Sequence, residues 1–230
     1  MKAKTKGKRE TFAYSLDAIQ DILEALVEPE KVLLAVAAWS GLRRGEIVGL
    51  KWEDYDGQHM WVKRNICFGR RGEMTVELPK TEASKSCVPV IAPLRTILDS
   101  WKAKAQATAG CWIFPAGFVR SKNHPESLLD AAKMTPLSPA NCLRDRILPA
   151  LEEEGLKWYG FHAFRRGLAT NLRALGVDDL TISEILRHSD VSVTRRSYIK
   201  IVSAKANDAM GKLEIALATG KLAQAEVAQA

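Results

Sequence analysis

The sequence 160-GFHAFRRGLATNLRALGVDDLTISEILRHSDVSVTRRSYIKI-201 decides the fold class and the chemistry of this chain. It contains His162 and His188, two of the four histidines, and Tyr198, one of the four tyrosines. Arg165 follows His162 by three residues, so a helix would place both side chains on one face. Two imidazoles, a guanidinium and a phenol suit one reaction. A phenolic nucleophile can attack a phosphodiester while hydrogen-bond donors hold the charge that develops.

Helical periodicity dominates this stretch and much of the chain before it. Residues 162–175 carry apolar side chains at helical spacing, which predicts a helix. Residues 181–184 have the pattern of a capping box and predict the start of another short helix. Upstream, a helical pattern begins at Ser15, and residues 32–39 are apolar nearly all round, which predicts a buried helix. Gly41 can end that helix in the left-handed conformation.

Three short segments near the middle of the chain predict strands. Residues 60–66 alternate between apolar and polar, and residues 74–78 and 87–91 are further β-prone segments, separated by turn-prone residues. Farther along, residues 138–139 (Ser-Pro) are typical of a helix start, and Pro149 should kink or restart that helix. The predicted fold class is therefore mainly α with a small antiparallel β-sheet (α+β).

Composition favours a polyanionic partner and a reducing compartment. The 230 residues carry a formal net charge of +7 and a pI of about 9.3, which makes nucleic acid the first candidate partner. The four cysteines are widely spaced with no Cys-x-x-Cys pair, which argues against a zinc site and for a cytoplasmic location. No apolar run approaches the roughly 20 residues of a membrane span, so no membrane partner is expected.

Three short motifs follow one another along the chain. They are GLRRGE at 41–46, FHAFR at 161–165, and LRHS at 186–189, which is followed by Thr194 and Tyr198. Together they resemble the signature of the tyrosine recombinases, the phage-integrase family. That signature consists of Gly-Leu-Arg-x-x-Glu, then His-x-x-Arg, then Leu-Gly-His-Ser with a Thr and the nucleophilic Tyr. The resemblance covers most of the chain and implies the fold of a tyrosine recombinase catalytic domain.

The resemblance implies roles for the charged residues of the site. Arg43 and Arg165 would hold the non-bridging oxygens of a DNA phosphodiester, because a guanidinium matches two such oxygens in a planar fork. His188 would donate a further hydrogen bond to the same phosphate, and Glu46 would orient Arg43. From the residues alone, Arg43 fits equally well an ordinary ion pair with Glu46 on a surface helix.

The resemblance assigns the proton transfers to three further residues. Tyr198 would be the nucleophile, and His162 would help to take its proton, since a free phenol has a pKa of about 10. In the family, a lysine at the hairpin between the last two strands protonates the departing 5′-oxygen. Lys80 fits this position, and Lys85 is a rival on the same turn.

Neighbouring residues of the same type compete for two of these positions. Arg44 follows Arg43, and Arg166 follows Arg165. The family motif selects the first arginine of each pair, whereas without the motifs each would be interpreted as a surface cation. The chain also departs from the family pattern at Arg187, which stands where a Gly usually precedes the histidine of the third motif.

The resemblance also implies an organisation and an activity. Residues 1–12 would be a basic N-terminal tail or linker, residues 13–202 the catalytic domain, and residues 203–230 a C-terminal helix and Ala-rich tail. The implied activity is site-specific DNA recombination through a 3′-phosphotyrosyl intermediate, by a catalytic domain that lacks the core-binding domain of the family. Expected partners are double-stranded DNA and like protomers in a homotetramer on paired DNA sites. Neither a metal nor a cofactor is expected.

Two alternative functions use the same features. A type IB-like topoisomerase would share the chemistry, but its relatives usually carry Lys in place of His162, so the second motif favours the recombinase. A non-catalytic DNA-binding module derived from an integrase would bind DNA with a salt-dependent affinity and would form no covalent link to it.

Overall fold

The secondary structure is mainly helical. The computed structural model describes residues 11–69, 72–77, 87–116, 135–187 and 204–227. Within these ranges the α-helices are α1 (Leu16–Glu24), α2 (Glu30–Ser40), α3 (Arg44–Val48), α4 (Ala92–Lys104), α5 (Pro139–Cys142), α6 (Leu148–Glu153), α7 (Phe161–Ala174), α8 (Asp179–Leu186) and α9 (Ala204–Val227). The strands are β1 (His59–Trp61), β2 (Asn65–Phe68), β3 (Met74–Glu77) and β4 (Cys87–Pro89).

Helix α2 lies at the centre of the core. Its residues 32–39 are all buried, and it packs against α1, α4 and α7. This confirms the buried helix that the nearly continuous apolar sequence predicts. Gly41 ends α2 with φ of 66°, a conformation that favours glycine. A Cβ at Gly41 would also lie 2.7 Å from Cδ2 of Leu186, so glycine allows the end of α8 to approach this turn.

The strands form two antiparallel pairs, which confirms the predicted class. β1 pairs with β4, and β2 pairs with β3. The prediction of one continuous strand over residues 60–66 is wrong, because the chain leaves the pairing after Trp61. At this point Lys63 and Arg64 turn towards the fully buried Asp54, to which they form ion pairs of 3.1 Å and 2.6 Å. A buried carboxylate needs such partners, and alternation along one segment does not reveal them.

The start of α8 differs from the sequence prediction, whereas the start of α6 agrees with it. α8 begins at Asp179 and is capped by Asp178, whose Oδ1 accepts a hydrogen bond from the backbone N of Thr181 at 3.0 Å. The predicted capping box at residues 181–184 is therefore wrong and lies inside the helix, because Asp178 is an equally good cap one turn earlier. Between α5 and α6, Leu143–Ile147 forms a π-helical segment, and the helix restarts just before Pro149, as predicted.

Helix α9 docks on the same chain. Its buried residues are Ala206, Ala209, Met210, Leu213 and Leu217, and it packs against α7, α8 and β4. Glu214 Oε2 accepts a hydrogen bond from the backbone N of Ala92 at 3.2 Å, at the start of α4. Among the helices in the described ranges, none is long and apolar enough to cross a membrane.

Candidate active site

Arg165 lies at the centre of the candidate site. It is on α7, is 6% exposed, and its guanidinium donates hydrogen bonds to the carbonyl oxygens of Gly41 and Leu186. It therefore joins α7 to the turn after α2 and to the end of α8. Burial, and then the positive charges of Arg43 and Arg187, lower the pKa of Arg165 to about 10. The guanidinium stays protonated at neutral pH.

Arg43 lies just before α3 and is paired with Glu46. Its Nη1 is 3.1 Å from Glu46 Oε1, and its backbone N donates to Glu46 Oε2 at 2.7 Å. The Glu46 side chain is 9% exposed to solvent, whereas the Arg43 side chain is 48% exposed. Glu46 thus fixes Arg43 from the interior side, and much of the guanidinium remains accessible to a ligand.

Arg187 reaches the same carboxylate from the opposite end of the chain. Its Nη2 lies 2.5 Å from Glu46 Oε2, and its side chain is 10% exposed. Burial pushes the pKa of Glu46 upward, but the charge of Arg187, with hydrogen bonds from Arg43 and Arg187, outweighs this and holds the pKa below its ordinary value. The sequence motifs assign no role to Arg187. The one signal available was a charged residue in place of the usual Gly.

His162 lies on the first turn of α7, and its exposed side chain is near Arg165 and Arg43. Partial burial lowers its pKa, and the charges of Arg165, Arg166, Arg43 and Arg44 lower it further. The imidazole is therefore predominantly neutral at pH 7 and able to accept a proton.

The two pairs of adjacent arginines have different surroundings. Arg165 points inward, while Arg166 Nε donates to the backbone oxygen of Phe12 at 2.6 Å and so holds the N-terminal segment. Arg43 pairs with Glu46, while Arg44 begins α3 and is exposed. Of the two motif arginines, Arg43 thus binds the Glu46 carboxylate directly, and Arg165 is buried and close enough to interact with it electrostatically.

Comparison with known proteins identifies the family. The profile described as the phage integrase family matches residues 14–204. The chain belongs to the phage integrase family. Among curated relatives, a XerC-like tyrosine recombinase of Caldanaerobacter subterraneus subsp. tengcongensis is 29% identical over 219 residues, which are 90% of this chain and 55% of the relative. The ICEBs1 integrase of Bacillus subtilis is 26% identical over 185 residues, which are 80% of this chain and 48% of that protein.

This integrase-family chain spans about half the length of the curated relatives that it matches. Its fold is similar to that of the Tn1549 transposon integrase, solved in complex with transposon right-end DNA, with a TM-score of 0.61 and 16% identity over 90% of this chain and 68% of that one. It is also similar to the XerA recombinase, with a TM-score of 0.52 and 18% identity over 88% of this chain and 65% of that one. These similarities confirm the predicted fold.

Four of the residues predicted for the integrase site are described, and the fold brings them together: Arg43, Glu46, His162 and Arg165. The other three predictions, Lys80, His188 and Tyr198, lie outside the described residues. The rival Lys85 lies outside them as well. The roles of all seven residues in catalysis stay predictions.

The described cluster suits an anionic ligand. The guanidinium groups of Arg43 and Arg187 bind the single carboxylate of Glu46, and that of Arg165 is close enough to interact with it electrostatically, so positive charge is in excess among these side chains. A tetrahedral oxyanion with several acceptor oxygens matches such a set of donors. Within the described part of the chain, no group of three or more His, Cys, Asp or Glu residues is placed to hold a metal ion.

Proposed function

We propose that this chain is the catalytic part of a site-specific DNA recombinase, which cleaves and rejoins DNA strands through a 3′-phosphotyrosyl intermediate. The single observation that carries the proposal is the convergence of Arg43, Arg165 and His162 around one cationic site. The names of the curated relatives, a tyrosine recombinase and an integrase, support it. The net charge of +7 and the DNA in the complex of the Tn1549 integrase support double-stranded DNA as the substrate.

In the proposed reaction the cationic side chains stabilise the negative charge that develops on the phosphate. Arg43 and Arg165 bind the two non-bridging oxygens of the phosphodiester, and His188 donates a further hydrogen bond. Because Arg165 is already held by two carbonyl groups, its guanidinium does not reorganise when the phosphate gains charge. These side chains supply the positive charge that metal ions supply in other phosphoryl-transfer enzymes, so the proposed reaction needs neither a divalent ion nor ATP.

The proposed reaction conserves the energy of the phosphodiester bond. The Tyr198 oxygen attacks phosphorus and its proton passes to His162, while the bond from phosphorus to the 5′-oxygen breaks and Lys80 protonates that oxygen. The products are a 3′-phosphotyrosyl link and a free 5′-hydroxyl. A 5′-hydroxyl from a second strand then reverses the attack, rejoins the DNA and releases Tyr198.

The proposal includes the organisation of the protein. Residues 13–202 form the catalytic domain, preceded by the basic segment 1–12 and followed by the helical segment 203–230. Four protomers act on two paired DNA sites, because two duplexes must each be cut on both strands for recombination. We place this activity in the cytoplasm, where the cysteines stay reduced.

Covalent trapping tests the proposed activity. The substrate is a library of DNA duplexes with a randomised segment and a nick beside it, so that cleavage near the nick releases a short fragment and prevents resealing. We expect SDS-resistant protein–DNA adducts that share a sequence. Tyr198→Phe should bind DNA and form no adduct. Adducts with Tyr198→Phe would show that Tyr198 is not the nucleophile. Sequence-independent relaxation of supercoiled plasmid would indicate a topoisomerase, and salt-dependent binding without adducts a non-catalytic module.

Matched arginine variants test the placement of the phosphate. Arg43→Ala and Arg165→Ala should each slow adduct formation by about 10²–10³-fold, the loss typical of removing one donor to a developing oxyanion. Arg44→Ala removes the same charge one residue from Arg43 and should leave the rate of the chemical step within about threefold, since only the general attraction to DNA changes. Equal losses of rate for Arg43→Ala and Arg44→Ala would show that adduct formation depends on net charge rather than on the position of Arg43.

A further inference from the structure

We propose that Arg187 is a positioning residue, which fixes Glu46 and through it holds Arg43 in the orientation that binds phosphate. Its effect on the reaction rests on the proposed function, whereas its effect on Glu46 does not. Arg187 lies beside the predicted catalytic histidine in sequence, but its own contact is with the first motif, 141 positions away.

The contacts form a chain from the end of α8 to the start of α3. Arg187 Nη2 binds Glu46 Oε2 at 2.5 Å, and the same oxygen accepts the backbone N–H of Arg43 at 2.7 Å. The other carboxylate oxygen binds the Arg43 guanidinium at 3.1 Å. Both oxygens of Glu46 are therefore engaged, and the carboxylate has little freedom to rotate away from Arg43.

Backbone geometry at Arg187 points to a role for its side chain. The residue ends α8 with φ of 56° and ψ of 49°, in the left-handed region that favours glycine. A glycine would adopt this conformation at a lower conformational cost, so an arginine here must compensate for that cost through its side chain. The compensation visible in the structure is the ion pair with Glu46, at a position where both side chains are about nine-tenths buried.

The surrounding charges explain why Glu46 needs a second cation. Glu46 is faced by Arg43, Arg187 and Arg165, and Arg187 is also close enough to Cys87 to interact electrostatically with its thiol. Burial alone favours the protonated carboxyl, which would bind Arg43 less strongly. The charge of Arg187 opposes this effect of burial and favours the ionised form of Glu46, which is the form that pairs with the half-exposed Arg43.

Three variants separate positioning from a structural contribution. Arg187→Gly removes the ion pair and relieves the left-handed backbone. Arg187→Lys keeps the charge but loses the planar fork. Gln106→Gly is the matched control, because Gln106 also has a positive φ of 45° but is exposed in the turn after α4, away from the site.

The first readout is independent of DNA. In protein with ¹³C-labelled glutamate, the carboxyl signal of Glu46, assigned with Glu46→Gln, reports its pKa. The ¹⁵N heteronuclear NOE of Arg43 Nε reports the order of that side chain. In Arg187→Gly we expect a higher Glu46 pKa and a lower NOE for Arg43, with smaller changes in Arg187→Lys and none in Gln106→Gly. An unchanged Glu46 pKa in Arg187→Gly would overturn the proposal.

The second readout is the single-turnover rate of adduct formation. Arg187→Gly should slow it by about tenfold to a hundredfold, the scale of loss for a misplaced catalytic group. DNA affinity should stay within about twofold, since Arg187 is buried. Arg187→Lys should recover part of the rate, and the double variant Arg187→Gly/Glu46→Gln should be no slower than the slower single variant, because both act through Glu46.

The two readouts distinguish the failure of this inference from the failure of the proposed function. If the parent chain forms adducts and Arg187→Gly forms them equally fast, Arg187 does not position the site. If the parent chain forms no adduct, the proposed function fails. The NMR readout still shows whether Arg187 positions Glu46. A raised Glu46 pKa with a disordered Arg43 then supports the positioning of Glu46 by Arg187, and the absence of both changes rejects it.

Discussion

At the scale of single residues, the charge state of His162 matters most for the proposed reaction. Partial burial lowers its pKa, and four neighbouring arginines add to the shift. In the proposed reaction His162 accepts the proton of Tyr198, and only a neutral imidazole can do so. Because the folded chain binds this proton less readily than the unfolded chain, the contribution of His162 to stability is present above the ordinary pKa of about 6.5 and is lost as pH falls below it.

We therefore predict a titration midpoint for His162 below 6.5, measured from its imidazole Cε1–H signal by NMR. Arg166→Ala should raise the midpoint, because one of the repelling charges is removed. Arg173→Ala is the control, since Arg173 lies on the same helix but is exposed and paired with Asp179. A His162 midpoint at or above 6.5, or an equal shift in both variants, would contradict this electrostatic account.

Sequence order was sufficient to select the residues that the fold brings together, but not their contacts. The motifs selected Arg43 over Arg44 and Arg165 over Arg166, and in the structure Arg43 binds Glu46 while the buried Arg165 interacts electrostatically with both Arg43 and Glu46. The contact of Arg187 with Glu46 could not be predicted, because it depends on how α8 ends relative to α3. Local periodicity carries no information about two segments so far apart in sequence.

At the scale of elements, the sequence predicted the buried and amphipathic helices well and the strands less well. α2 follows from its apolar composition, because a helix that is apolar nearly all round must be buried. The split between β1 and β2 does not follow from alternation, because it is set by the ion pairs of Lys63 and Arg64 with the distant Asp54. Short strands are the elements that such tertiary contacts most easily redirect.

The segment that precedes α1 is held by specific contacts to α7 and to the residues just before it. Tyr14 is buried, and its hydroxyl accepts the backbone N–H of Tyr159 at 2.7 Å and lies 3.3 Å from the carbonyl of Lys157. Burial raises the pKa of Tyr14 to about 12, so the hydroxyl stays protonated. Gly167 lets this segment lie close to α7, since a Cβ there would come 2.5 Å from the carbonyl oxygen of Tyr14.

Removing one hydroxyl tests how firmly this segment is held. Tyr14→Phe should lower the free energy of unfolding by about 1–2 kcal/mol, because the part-buried N–H of Tyr159 loses its acceptor. Tyr159→Phe removes a hydroxyl from a ring that is 37% exposed and should change stability by less than about 0.5 kcal/mol. Urea denaturation measures both. Equal effects would show that the Tyr14 hydroxyl contributes no specific bond.

At the scale of the whole molecule, the position of α9 connects the fold to the proposed assembly. In the single chain α9 covers α7 and α8 with its apolar face, and Glu214 caps the start of α4. A tetramer joined by exchange of this helix between protomers would use the same apolar face. Assembly by that route would therefore require α9 to leave its own chain, at a cost set by the burial that it loses.

The cost of undocking can be measured with two leucine-sized side chains on the same helix. Leu213 is 1% exposed, and Leu213→Ala should destabilise the dilute chain by about 2–5 kcal/mol through lost burial and a cavity. Ile215 is 67% exposed, and Ile215→Ala should have an effect within about 0.5 kcal/mol. Urea denaturation over a hundredfold range of protein concentration distinguishes the two arrangements. A loss for Leu213→Ala that is independent of concentration places α9 on its own chain, because unfolding is then unimolecular. A loss of stability in Leu213→Ala that appears only when the protein is concentrated would mean that α9 is docked on a neighbouring protomer. Stability would then depend on association.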